Sequence, residues 1–271
     1  MPDGVRPTGI IESTKNERIR RYRRLLKRNF RYREGLFLAE GMKAVAESLT
    51  ASRPPECVLC DEKGLRALEA YSDYLGTRNV PCFQVAPPVM ELLASTVTPQ
   101  GVVAVCPMLH RPLEEMLAEA PPVVLVANRV RDPGNLGTMV RVADAAGTGG
   151  VVVCSESVDI YNPKTVRSTA GSIFHVPVCV GLGAEEALGR LKESGYAVLL
   201  ADAREGAVVW ETEWPERTAL VMGNEAWGVP EKEGEMADGR VRVPIVGRAE
   251  SLNVAAATAV ILFDMLRRRW R

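Results

Sequence analysis

Three stretches of this 271-residue chain carry residue types that could do chemistry, and each stands just beyond an apolar run. Asn135 and Arg141 follow Val123-Val-Leu-Val-Ala127, with the turn-rich Asp132-Pro-Gly-Asn135 between them. Gly223, Glu225 and Gly228 follow Thr218-Ala-Leu-Val-Met222, and Ser251, Leu252 and Asn253 follow Val241-Arg-Val-Pro-Ile245. The first stretch has the strand–turn–helix shape of a phosphate or nucleotide loop. Glycines at such junctions let the backbone approach a flat ligand and offer bare N–H and C=O groups to it. Adenine recognition by backbone groups would fit a cleft of this kind.

Familiar alternatives fail on the residues they need. No G-x-G-x-x-G follows the first strand of either half, and Gly134-x-x-Gly137 is one glycine short of a dinucleotide loop. There is no Gly-Lys-Ser/Thr of a phosphate-binding P-loop, and no G-x-S-x-G of a serine hydrolase. A metal is not expected: Cys57-x-x-Cys60 has no second such pair, and His110 and His175 stand alone. All six cysteines lie in or beside apolar runs, where a thiol behaves as a small buried hydrophobe.

These residues need elements to position them. Val123–Ala127 is continuous and β-branched-rich, the mark of a strand covered on both faces. From Leu136 the apolar residues recur as Leu136, Met139, Val140, Ala143 and Ala146, which is helical spacing. Strands over Gly150–Cys154, Ile173–Val178, Tyr196–Ala201, Thr218–Met222 and Val241–Ile245 alternate with helices over Ala184–Ser194 and Val254–Leu266. That alternation predicts a parallel α/β sheet, whose C-terminal strand ends share one edge, so the three loops can converge.

The first half reads as a smaller α/β domain, with strands over Cys57–Cys60, Val80–Val85 and Gly101–Cys106. Four segments are expected: an irregular, flexible tail at 1–14, a domain at 15–107, a linker at 108–120 that holds Glu114, Glu115, Glu119 and Pro112 and runs up to Pro121 and Pro122, and a second domain at 121–271. Formal charge is zero, so only local patches can attract a partner. Arg20, Arg21, Arg23, Arg24, Lys27 and Arg28 make one such patch, on a helix with the apolar stripe Ile19, Tyr22, Leu25, Leu26 and Phe30. A solvated face, a nucleic-acid surface and a membrane-surface helix all share that pattern. So many guanidinium groups favour phosphate, and RNA is the expected partner. No apolar run approaches membrane-spanning length and no signal-peptide pattern opens the chain, so a cytoplasmic protein without membrane contact is expected.

The three loops resemble the three sequence motifs of the SpoU (TrmH-like) family of RNA ribose 2′-O-methyltransferases, in the SPOUT class. Asn128-x-x-x-Asp-Pro-Gly-Asn-Leu-Gly-Thr-Met-Val-Arg141 resembles the first, Leu220-Val-Met-Gly-Asn-Glu-Ala-Trp-Gly228 the second, and Val243-Pro-Ile with Glu250-Ser-Leu-Asn-Val-Ala255 the third. Val166-Arg-Ser-Thr-Ala-Gly-Ser-Ile-Phe174 is similar to the segment between them. Phe37-Leu-Ala-Glu-Gly41 and Thr98-Pro-Gln-Gly101 resemble the family's ribosomal-protein-like substrate-binding domain.

The resemblance implies a C-terminal domain tied in a trefoil knot and S-adenosyl-L-methionine as cofactor. It places Ala201, Gly223, Gly228, Val243, Ile245 and Leu252 at the cofactor. It gives catalytic roles to Asn135, Arg141, Glu225, Ser251 and Asn253, with Arg141 central and in some members the base. A guanidinium resists deprotonation, so Arg141 is expected instead to orient the ribose as a phosphate clamp. Asn135 would position Arg141 or substrate, Glu225 would brace its loop, and Ser251 and Asn253 would hold cofactor and ribose. It implies a homodimer, with the final helix as a candidate interface. It implies rRNA, most of all 23S rRNA, as substrate. A tRNA methyltransferase and a non-catalytic RNA-binding or ribosome-assembly protein are the alternatives.

Overall fold

A computed structural model describes residues 5–224 and 228–267. They form two compact units, residues 5–109 with 161–175, and residues 110–160 with 176–224 and 228–267.

In the first unit, β1 (Gly9–Ile11), β2 (Leu36–Glu40), β3 (Cys57–Cys60), β4 (Cys82–Val85) and β5 (Val102–Pro107) form a mixed sheet in the order β1-β4-β3-β5-β2. Residues 9–11, expected to be part of a flexible tail, instead extend the sheet as a parallel edge strand on β4. The basic segment is two helices rather than one, α1 (Glu17–Arg24) and α2 (Arg28–Glu34). Leu25 and Lys27 break the run: Leu25 is buried, Lys27 is extended, and the buried Arg31 donates Nη1 to the Leu25 carbonyl at 2.8 Å. Ile19, Tyr22 and Leu25 pack into one core with Leu36, Leu38, Leu59 and Val103. Each buried aliphatic side chain contributes about 2 kcal/mol. The α3 (Met42–Thr50), α4 (Glu62–Leu68), α5 (Ser72–Thr77) and α6 (Pro87–Leu93) helices complete this unit's N-terminal part.

Residues 161–175 also pack here. Arg167 donates to Ser95 Oγ at 2.6 Å and lies 3.6 Å from Glu40, which accepts from both Ser95 and Thr96. Burial pushes the Glu40 carboxyl up, but those donors and Arg167 outweigh it and hold it below its ordinary value. The strand expected over Ile173–Val178 is mostly absent. Gly171 sits at φ +99°, Ser172–Phe174 is a 3₁₀ turn, and the chain extends only after Pro177.

In the second unit, α7 (Leu113–Leu117) is followed by β6 (Val123–Ala127), α8 (Pro133–Ala146), β7 (Gly150–Val153), β8 (Val178–Val180), α9 (Ala184–Glu193) and β9 (Ala197–Ala201). Then come β10 (Ala207–Val208), β11 (Thr218–Met222), α10 (Glu231–Glu235), β12 (Gly239–Arg242) and α11 (Val254–Arg267). The seven strands are all parallel, in the order β10-β12-β9-β11-β6-β7-β8. Val124 and Val126 pack with Val198, Leu200 and Val221 beneath Leu113, Met116, Leu188 and Leu191. Alternation sends Val123, Leu125 and Ala127, all fully buried, to the other face, where α8 lies on β7 and α11 on α8. The α7 helix, within the expected linker, buries Leu113 and Met116 in this core. Strand β12 stops at Arg242, short of the expected Ile245, because Pro244 has no N–H to continue a ladder.

Candidate active site

The site is built at the C-terminal edge of the parallel sheet, from loops after β6, β9, β11 and β12. After β6 the chain does not pause in a separate turn. Pro133 is already the first residue of α8, and Asp132 is its N-cap, accepting the Asn135 N–H at 2.9 Å. Asn135 is thereby fixed on the first turn. Its side-chain Oδ1 accepts from Asn253 Nδ2 at 2.9 Å. The Asn253 Oδ1 in turn accepts from the N–H groups of Ala255 and Ala256, capping α11.

Loops after β6 and β11 are joined by a second amide. Asn224 Nδ2 donates to the carbonyl of Arg129 at 3.0 Å, and Arg129 takes a left-handed φ of +57° to present it. Asn224 also exchanges two backbone hydrogen bonds of 2.9 Å with Gly228. That close pairing explains Gly223: a Cβ there would stand 2.6 Å from the Gly228 carbonyl carbon and 2.8 Å from Val229 Cγ2.

The loops after β9, β11 and β12, with the start of α11, line a cavity of about 490 Å³. Ala201, Gly223, Gly228, Val243, Ile245 and Leu252, the six positions singled out from sequence, all line it, as does Ser251. The lining is apolar at its base, through Leu200 and Ile261, and charged where Asp202, Arg204, Arg240 and Glu250 reach it. Sequence reasoning missed those four. Asp202 directly follows β9, and its position at a strand end was the available signal; Arg240, inside a strand, gave none.

Asp202 is held tightly. Its Oδ1 accepts from the Arg204 and Glu205 N–H groups, and its Oδ2 from Arg240 Nη1 at 2.7 Å. Partial burial pushes the carboxyl up, but the two backbone donors and the guanidinium together hold it below the ordinary aspartate range.

Arg141 is exposed on α8 and makes no hydrogen bond or ion pair among the described residues. Asn135 and Asn253 are thus brought into contact and Ser251 to the cavity, while Arg141 stands exposed six residues further along the helix that carries Asn135 and does not line the cavity. Glu225 lies outside the described residues. Cys57 and Cys60 point into other partnerships: Cys57 Sγ lies 3.4 Å from the Tyr22 hydroxyl and Cys60 Sγ 3.6 Å from Cys82 Sγ. Burial pushes the Cys57 thiol up to about 11. No cluster of three or more His, Cys, Asp or Glu that could hold a metal occurs among the described residues.

Residues 122–263 match the SpoU rRNA methylase family, and residues 16–104 match the MRM3-like substrate binding domain. The chain belongs to the SpoU rRNA methylase family. Among its relatives is RlmP of Bacillus subtilis, a 23S rRNA (guanosine(2553)-2′-O)-methyltransferase, 37% identical over 257 residues, covering 94% of this chain and 98% of that protein. The 23S rRNA (uridine(2479)-2′-O)-methyltransferase of Streptomyces viridochromogenes is 30% identical, covering 95% and 92% of the two chains. A crystal structure of an AdoMet-bound rRNA methyltransferase from Sinorhizobium meliloti superposes with a TM-score of 0.83 at 28% identity, covering 96% of this chain and 98% of that one. Both units of this SpoU methylase therefore have counterparts in full-length relatives.

Proposed function

We propose that this protein transfers a methyl group from S-adenosyl-L-methionine to a ribose 2′-hydroxyl of 23S rRNA. The observation that carries the reading is the cavity at the parallel sheet's C-terminal edge, lined by glycines, apolar side chains and a charged rim. About 490 Å³ is within the usual range for a small-molecule site. Leu200, Val243, Ile245 and Ile261 suit a flat base, and the backbone at Gly223 and Gly228 suits its polar edge. The rim charges of Asp202, Arg204, Arg240 and Glu250 suit a zwitterionic amino-acid tail. When bound, the cofactor supplies an electrophilic methyl.

The chain's own residues then supply position. Arg141 takes a phosphate oxygen beside the target ribose, a task a guanidinium does bidentately without leaving its charged state. Deprotonating it would cost too much for it to serve as the base. The Asn135–Asn253 bond fixes the two helix starts that face the ribose, and Ser251 offers a hydroxyl at the cavity wall. The 2′-hydroxyl proton passes to a phosphate oxygen in this arrangement, and alignment of the hydroxyl with the methyl supplies much of the rate.

The same reading includes Glu225 as the brace of its loop, the RNA-binding role of Arg20, Arg21, Arg23, Arg24, Lys27 and Arg28, and the trefoil knot. Insertion of β12 between β9 and β10, with α11 against α8, supports the knot. It also includes a homodimer, supported by the exposed Val260 and Phe263 of α11. A cytoplasmic location goes with the substrate; among the described residues no helix is long and apolar enough to cross a membrane.

The test is methyl transfer to unmodified 23S rRNA, followed by mapping of ribose methylation. Arg141→Ala is expected to lose turnover while keeping cofactor binding. A wild-type protein that binds cofactor and RNA but methylates no RNA overturns the reading.

A further inference from the structure

The basic face of the first unit is more than a set of charges. Arg20, Arg23, Arg24, Lys27 and Arg28 are exposed and form no ion pair among the described residues. Arg21 differs, bound to Glu34 at 3.1 Å and Glu56 at 3.0 Å. Among these cations stand two rings of α2. Phe30 has the Arg33 guanidinium 4.4 Å and the Arg24 guanidinium 5.6 Å from its centroid. Tyr32 has Arg28 at 5.4 Å and is 40% exposed.

Tyr32 rests on a rigid footing. Its ring meets Tyr161 edge-on, with centroids 6.4 Å apart and planes at 73°. Tyr161 is buried, its hydroxyl accepts the Leu109 N–H at 2.8 Å, and its other neighbour is Phe37 at 4.8 Å, which stacks on Phe174. An aromatic column thus runs from the core to the surface and ends in one exposed ring beside the Arg28 guanidinium. A ring held this way loses little freedom when something stacks on it.

From this juxtaposition we propose that the α1–α2 face is a binding surface for unpaired RNA, with Tyr32 as the platform on which one unstacked base lies and the cations that form no ion pair as the phosphate contacts. The inference rests on the RNA methyltransferase reading and names the form of RNA that the first unit takes. Duplex RNA hides its base faces and would meet only the charges. A membrane surface would need a row of exposed aliphatic residues, and here Ile19, Tyr22 and Leu25 are all buried.

The test compares a single-stranded RNA of about ten nucleotides with its blunt duplex, using the full chain and its Tyr32→Leu and Tyr32→Phe variants. Leucine keeps apolar contact with Tyr161 but has no ring; phenylalanine keeps the ring. The wild type should prefer the single strand. Tyr32→Leu should weaken that binding roughly ten-fold with an unchanged salt slope, and Tyr32→Phe should retain it. Equal affinity of the wild type for both RNA forms, or wild-type affinity in Tyr32→Leu, overturns the proposal. Methyl transfer to rRNA is read on the same preparations. Transfer that proceeds with an inert Tyr32 removes only the stacking surface, whereas its absence with stacking intact removes only the enzyme reading.

Discussion

Asn253 and Asn135, 118 positions apart, meet through one hydrogen bond of 2.9 Å; Asn135 lies on the first turn of α8 and Asn253 caps α11. The Asn253 amide uses both ends: Oδ1 caps α11 and Nδ2 reaches Asn135. Asn253→Asp separates the two roles, because a carboxylate still caps but cannot donate. We expect Asn253→Asp to keep stability close to wild type and to lose methyl transfer. Asn253→Ala should lose transfer and about 1 kcal/mol of stability. Denaturant melts beside single-turnover transfer distinguish them; full activity in Asn253→Asp would remove the contact from the mechanism.

Gly223→Ala tests the pairing of Asn224 with Gly228. Its Cβ would stand 2.6 Å from the Gly228 carbonyl carbon, so Asn224–Gly228 pairing has to open. We expect at least a ten-fold loss of S-adenosyl-L-methionine affinity by calorimetry, with the far-ultraviolet circular dichroism unchanged. Wild-type affinity would show that the loop yields without consequence for the cavity.

Asp202 gives the cavity rim a pH dependence. Its folded-state carboxyl is held below the ordinary aspartate range of about 4. The stability it contributes is therefore fully present above that range and is lost as pH falls through the folded value. Between pH 6 and strongly acid solution the wild type should lose more unfolding free energy than Asp202→Asn, which has no proton to take up there. Parallel stability curves for the two proteins would refute the linkage. At neutral pH the variant should also bind S-adenosyl-L-methionine more weakly, since Arg240 loses its 2.7 Å partner.

The exposed apolar side of α11 supplies a prediction about assembly. Val260 and Phe263 are each about two-fifths exposed on a helix whose other face is buried. Phe263→Glu should shift a dimer to monomer in analytical ultracentrifugation, since burying an unpaired carboxylate at an interface is costly. An unchanged sedimentation coefficient for a dimeric wild type would move the interface elsewhere.

Much of the architecture could be read from short-range pattern. Val123–Ala127 and Thr218–Met222 are continuous apolar runs because both faces of their strands are covered, and each is a central strand of the seven. Patterns that depend on a few residues were less legible. The apolar stripe from Ile19 to Phe30 has helical spacing throughout, yet the chain breaks after Arg24 so that Leu25 is buried and Arg31 can reach its carbonyl. Gly9–Ile11 looks irregular in sequence because a three-residue edge strand is defined by its neighbour Cys82–Val85 and hardly by its own composition.

The sequence by itself determined the parallel α/β class, the three loops and the small residues within them, since strand burial, glycine conformation and helix caps are set by residues next to one another. Only the tertiary structure decided that Asn135 and Asn253 share a hydrogen bond, that Asp202 and Arg240 charge the cavity rim, and that residues 161–175 pack with the first unit. Those are contacts between distant positions, and no local periodicity records which side chains a folded sheet edge will bring within three ångströms of each other.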